Sequence, residues 1–277
     1  MHIIITQKRE NVYITNEFPQ FSAVLSAVLY TSASFSICSY KRLPKPERKF
    51  TADMTYGMLA AGSCLLTDVV DQLHEDSKKI NIVDRLSRHL DKGVPVQAAS
   101  SYLQQIKNWV PSEPVIHIDD SDVVKPGGYK FESLGIVRDG SESTSAKNVY
   151  KKGYHVTEAC VLTTGNHPVS IFSKVHSSAE KDYKSANTVT FEAMERGSAL
   201  FEKATFCMDR GYDDNKMFLK LDSLNQEYVI RLKSNSKLLY HNKWTFATEL
   251  RNRRKVARTY FSRWKIEEYF RCKKQIL

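Results

Sequence analysis

Near its end the chain carries a lone acid within a basic, helix-periodic stripe. In the run Tyr-Phe-Ser-Arg-Trp-Lys-Ile-Glu-Glu-Tyr-Phe-Arg-Cys-Lys-Lys, Tyr260, Arg263, Glu267, Arg271 and Lys274 recur at helical intervals. At about 100° per residue they fall within an arc of roughly 80°. A carboxylate suits a hard cation and the flanking cations suit phosphate oxygens, so the pattern points to phosphodiester chemistry. The plainer alternative is an exposed ladder in which Glu267 pairs with Arg263 and Arg271, contributing only a few tenths of a kcal/mol per pair.

Two further acids follow apolar runs that read as buried strands. Asp119-Asp120 follows Val-Ile-His-Ile, and Asp209 follows Phe-Cys-Met. Ligand sites gather at strand ends in open α/β sheets. Three carboxylates holding two cations can activate a nucleophile and stabilise the leaving oxygen of an in-line phosphoryl displacement. Each acid also has a turn reading, with its side chain bonded to nearby backbone amides. Alternation along the strand sets Asp119 on the face of Val115 and His117, opposite Asp120.

The elements that must position these groups are legible from periodicity. Helical spacing predicts segments over Met54–Leu73, Ile80–Leu90 and Val96–Val110, preceded by a basic, Pro-containing linker over Ser39–Lys49. After Pro111 the texture turns to strands over Val115–Asp119, Leu134–Arg138, His155–Leu162 and Val169–Phe172. A helix over Ser185–Lys203, a strand over Thr205–Met208 and a helix capped by Asp213 through Leu221 come next. A strand over Tyr228–Leu232 and a closing helix over Val256–Lys274 complete the series. Antiparallel strands followed by alternating helix and strand imply an α/β domain with a mixed sheet flanked by helices.

The net charge of +10 is concentrated after residue 230, where fourteen Lys and Arg face only Glu249, Glu267 and Glu268. A basic surplus confined to one segment implies a polyanionic partner, nucleic acid before an acidic membrane. The five cysteines are odd in number and dispersed, and the eight histidines lack metal-ligand spacing, which argues for a reducing compartment and against structural zinc. Residues 21–38 are the one stretch resembling a membrane span; six Ser or Thr among them favour a buried helix instead.

These residues together resemble the DDE superfamily of transposases, and within it the insertion-sequence group with the signature Tyr-x2-Arg-x3-Glu-x6-Lys. Tyr260, Arg263, Glu267 and Lys274 fill that signature without a gap; Asp120-Ser121 and Asp209-Arg210 match the two earlier motifs. The resemblance implies an RNase H-like catalytic domain over residues 111–277. Before it would lie a mainly helical N-terminal region, residues 1–110, that contacts end DNA. It implies that Asp120, Asp209 and Glu267 bind two Mg²⁺ ions, or Mn²⁺ in their place, with Asp119 the rival for the first position. Tyr260, Arg263, Lys274 and Arg271 would hold DNA. The implied partners are double-stranded DNA, as transposon ends and target, and a second copy of the chain in an active homodimer. No membrane partner is expected, and the location would be cytoplasmic and nucleoid-associated.

Two departures imply a shortened copy. The interval between Asp209 and Glu267 is brief for the group, with Arg251-Asn-Arg-Arg-Lys255 where a β-rich insertion would lie, and further C-terminal helix is absent after Lys274. The alternative expectation is therefore a catalytically inactive remnant that only binds DNA.

Overall fold

The computed structural model describes residues 43–128, 131–233, 237–240, 243–246 and 259–276, with backbone only for the two short strands between 237 and 246 and for residues 274–276. The expected helix over 21–38 lies outside these residues. The chain divides into two compact units, one running through Ser101 apart from residues 62–65, the other comprising residues 102–277 with 62–65. Among the described residues no helix is long and apolar enough to cross a membrane.

The first unit is helical: α1 (Lys45–Ala61), α2 (Leu66–Asp71), α3 (Lys79–Leu90) and the start of α4 (Val96–Ile106). Phe50, Met54, Val69, Val70, Ile82 and Leu86 form its core. The linker expected through Lys49 is instead the first turn of α1 from Lys45 onward. Pro44 and Pro46 fall at that helix start, where a missing N–H costs nothing, and the Pro44 carbonyl accepts the Arg48 N–H at 2.9 Å. The single helix expected over Met54–Leu73 is broken at Gly62, whose φ of +60° only glycine adopts without strain.

The second unit is built on a six-stranded sheet. Its strands are β1 (Val115–Val124), β2 (Gly135–Arg138), β3 (Tyr150–Leu162), β4 (Pro168–His176), β5 (Thr205–Met208) and β6 (Glu227–Ile230). β3 lies antiparallel between β1 and an outer edge that β2 and β4 share, while β5 and β6 run parallel to β1 on the other side. This is the strand order and direction of an RNase H-like fold, as the resemblance implied. The helix α5 (Ala186–Leu200) makes the crossover from β4 to β5, and α6 (Asn215–Ser223) links β5 to β6. Ser185 caps α5 by accepting the Thr188 N–H. A Cβ on Gly197 would lie 2.8 Å from Ile116 Cδ1 and 3.0 Å from Phe206 Cζ, so its absence lets α5 lie close on β1 and β5. Ile116, Ile118, Ala159, Val161, Met194, Phe206 and Met208 make the main core beneath it.

The opposite face of the sheet is covered by α7 (Trp264–Ile276), whose Ile266 and Phe270 pack on Val156 and Cys160. Residues 259–261 are helical and a turn at 262–263 separates them from Trp264, so the closing helix expected over Val256–Lys274 is interrupted there; residues 256–258 lie outside the described residues. Between β6 and α7 lie two short paired strands, β7 (Lys237–Tyr240) and β8 (Lys243–Phe246). The cap of α6 is Asp214, which accepts the Lys216 N–H; Asp213 instead accepts the Lys233 N–H at 2.7 Å.

Candidate functional site

β1 is longer than its sequence suggested, so Asp119 and Asp120 sit inside the strand rather than at its end. Only Val115–His117 pair with β5, whereas pairing with β3 continues from Ile116 through Val124. Asp119 therefore lies just past the end of the parallel ladder, beside the point where β5 ends and Asp209 begins the next turn. Asp209 Oδ1 accepts the Gly211 N–H at 2.6 Å, which fixes the carboxylate at the head of a short 3-10 turn.

The third acid arrives on α7. Arg263 Nη1 donates to Asp119 Oδ2 at 2.9 Å, and Nη2 of the same guanidinium donates to Glu267 Oε1. One cation thus gathers two carboxylates from opposite ends of the domain. Burial pushes the Asp119 carboxyl up to about 7; Arg263 opposes that rise and Asp209 adds to it. The Arg263 guanidinium lies 6.0 Å from the centre of the Tyr260 ring.

Three contacts that sequence patterns did not reveal hold this corner together. Ser262 Oγ shares a hydrogen bond with His117 Nε2 at 3.2 Å and donates to the Thr259 carbonyl at 2.6 Å. The Cys207 thiol donates to that same carbonyl at 3.6 Å. Burial drives the Cys207 thiol up to about 12, which keeps it a donor, and drives His117 down to about 4, which keeps it neutral. The signal in sequence was only that His117 and Cys207 occupy apolar strands.

Asp120 turns the other way. Thr157 Oγ1 donates to its Oδ1 at 2.6 Å, and Thr157 Oγ1 lies 2.9 Å from His176 Nε2. A hydroxyl has one hydrogen, so His176 must donate to Thr157, leaving its buried Nδ1 without a partner. Burial raises the Asp120 carboxyl, with Thr157 working against the rise. The Tyr212 hydroxyl, buried without a hydrogen bond of good geometry, feels Asp120 electrostatically. The structure thus brings Asp119, Arg263 and Glu267 together and sets Asp120 on the far face of β1. Arg271 lies 5.9 Å from the Trp264 ring on the exposed side of α7, whose backbone also carries Lys274.

The carboxylates of Asp119, Asp209 and Glu267 have the oxygen chemistry a hard divalent cation takes, and two of them already converge on one positive charge. Among the described residues no three acids, histidines or cysteines close to metal-holding distance.

Residues 111–277 match the family model described as the transposase DDE domain. No curated protein matches the chain significantly. Among the solved structures that resemble it distantly are two transposase complexes. One is the Mos1 transposase paired-end complex with left transposon end, at 12% identity over 68% of this chain and 59% of that chain, with a TM-score of 0.24. The other is the Mos1 strand transfer complex, at 12% identity over 69% of this chain and 60% of that chain, with a TM-score of 0.26. The chain thus spans about three fifths of the length of these solved chains.

Proposed function

This chain belongs to the family of DDE transposase domains, and from that premise we propose that it cleaves DNA strands at element ends and transfers them into target DNA. The observation that carries the reading is the convergence of Asp119 and Glu267 on Arg263 beside Asp209. The family implies dependence on a divalent metal; here Mg²⁺, as two ions, or Mn²⁺ would be held by Asp119, Asp209 and Glu267. When bound, such ions supply activation of the attacking oxygen and neutralisation of charge on the phosphoryl group.

The first metal position is assigned to Asp119 rather than to Asp120, which the motif favoured. Asp119 shares a face with Glu267, while the Asp120 carboxylate is committed to Thr157. Asp209 accepts the Gly211 N–H at Oδ1, which orients its remaining lone pairs. Arg263, released from its two acids, would reach a backbone phosphate, with Tyr260 stacked beside it and Lys274 further along α7. The DNA partners are double-stranded element ends and target.

A second reading is supported by the absence of a three-acid cluster at metal-holding distance among the described residues. In that reading the chain binds DNA through its basic C-terminal segment and cleaves nothing. DNA bearing the ends of the encoding element, incubated with the protein and Mg²⁺ or Mn²⁺, separates the two. Cleavage that disappears in Glu267→Ala and Asp119→Asn but survives in Asp120→Asn supports the first. Salt-sensitive binding with no cleavage under either metal supports the second.

A further inference from the structure

Glu158 is an acid in the middle of an otherwise apolar stretch of β3, and its side chain is 0% exposed. Its two oxygens are both engaged. Ser170 donates to Oε1, and Lys273 Nζ, from the far end of α7, lies 2.8 Å from Oε2. Lys273 also donates to Ser173 Oγ at 2.8 Å, and Ser173 is the β4 residue opposite Glu158. The Lys273 ammonium sits 5.7 Å from the Tyr269 ring centre, which roofs the pair.

The position of Glu158 matters as much as its burial. It is the direct cross-strand partner of Asp119. The two acids that α7 meets are therefore neighbours on adjacent strands, with Cα atoms about 5 Å apart. The two cations that meet them stand ten positions apart, Arg263 in the turn just before α7 and Lys273 near its far end. Each long side chain reaches toward the middle from its own end. Between them Ile266 and Phe270 pack against Val156 and Cys160, with Val123 and Tyr269 partly buried at the margin.

Apolar contacts of that kind are non-directional and by themselves name no partner for a charge. A one-residue rotation turns a helix through about 100° and moves it about 1.5 Å, which would leave a buried carboxylate without its cation. We propose that the Glu158–Lys273 pair sets the axial and rotational register of α7, so that Arg263 and Glu267 arrive at Asp119. Glu158 and Lys273 are then positioning residues for the acidic site, acting through the helix and touching neither metal nor DNA. The register statement stands on these contacts alone; its link to catalysis rests on the transposase reading.

The test has two arms, both on the full chain. The first is a double-mutant cycle in chelator between Lys273→Met and Arg263→Met, followed by equilibrium unfolding. If the pair sets register, the double variant raises the unfolding constant no further than Lys273→Met alone, because the loss of Lys273 already takes Arg263 away from Asp119. Single effects that multiply to within about twofold of the double overturn the proposal. The second arm measures Mn²⁺ affinity by EPR in Glu158→Met/Lys273→Met, where apolar packing replaces the buried pair and keeps the fold. A fall of about tenfold or more with an unchanged melting temperature supports positioning; wild-type affinity overturns it. Should either variant fail to fold, Glu158→Gln and Lys273→Arg take their places with the same readouts. Wild-type protein that binds no Mn²⁺ counts against the metal reading alone, and the chelator cycle then decides the register.

Discussion

Arg263 Nη1 lies 2.9 Å from Asp119 Oδ2, although the two residues are 144 positions apart in the chain. The guanidinium is one of few groups that can neutralise Asp119 and Glu267 together without a metal. It occupies the ground a divalent ion would need, so arginine and metal should compete.

Arg263→Ala tests that competition. In chelator the variant should lose about 2–3 kcal/mol, because a largely buried carboxylate is left without its counter-ion. Added Mn²⁺ should raise its melting temperature more than it raises that of the wild type. Equal Mn²⁺ shifts in the two proteins would show that arginine and metal do not share the site.

The adjacent acids should separate cleanly. Asp119→Asn should weaken Mn²⁺ binding by well over tenfold. Asp120→Asn should leave it nearly unchanged and cost less than about 1 kcal/mol of stability, since Thr157 can still donate to an amide oxygen. Isothermal titration with Mn²⁺ reads both, and the reverse pattern would return the first ligand position to Asp120.

His117 gives the metal-free fold a pH dependence of definite sign. Its folded value of about 4 lies below the ordinary 6.5 because of burial first and Arg263 second. The unfolded chain therefore binds the proton more readily, and the contribution of His117 to stability is full above pH 6.5 and lost as pH falls toward 4. At about 1.4 kcal/mol per unit, the loss approaches about 3 kcal/mol. Urea midpoints in chelator at pH 7, 5.5 and 4.5 should show a slope that His117→Leu reduces. Asp119 acts oppositely. Its raised value means stability present below the ordinary carboxylate range and lost as pH rises through about 7.

Gly153 should be intolerant of any side chain. A Cβ there would lie 2.4 Å from the Val123 carbonyl oxygen and 2.6 Å from Val137 Cγ2, so β1, β2 and β3 would have to spread. Gly153→Ala should cost about 2 kcal/mol or more, read as a lower denaturation midpoint. A midpoint equal to that of the wild type would mean the strands yield without cost.

Much of the domain was legible because its strands carry apolar runs bounded by turns, although β1, β3 and β4 extend beyond those runs. Thr205–Met208 came out to the residue, and the alternation along Val115–Asp119 already set Asp119 and Asp120 on opposite faces. Which face would hold the site was not legible, because that depends on where α7 docks, and docking is decided by contacts more than a hundred positions away. Glu158 shows the same limit. An acid within Val-Thr-Glu-Ala-Cys-Val-Leu is an anomaly visible in the sequence, yet its partner Lys273 lies 115 positions on, next to the Lys274 that the signature singles out. Helix boundaries near Pro44 and Gly62 were misplaced because the prolines that open α1 read as a linker, while apolar spacing carried the expected helix straight through the glycine that ends it.

The division of charge along the chain also sets an order of events during synthesis. Asp119 and Glu158 emerge early, on the strands; Arg263 and Lys273, which neutralise them, emerge more than a hundred residues later. At about 5–20 residues per second, Asp119 waits roughly 7–30 s for its counter-ion. During that interval the nascent sheet exposes an acidic face, which only α7, made much later, covers and neutralises.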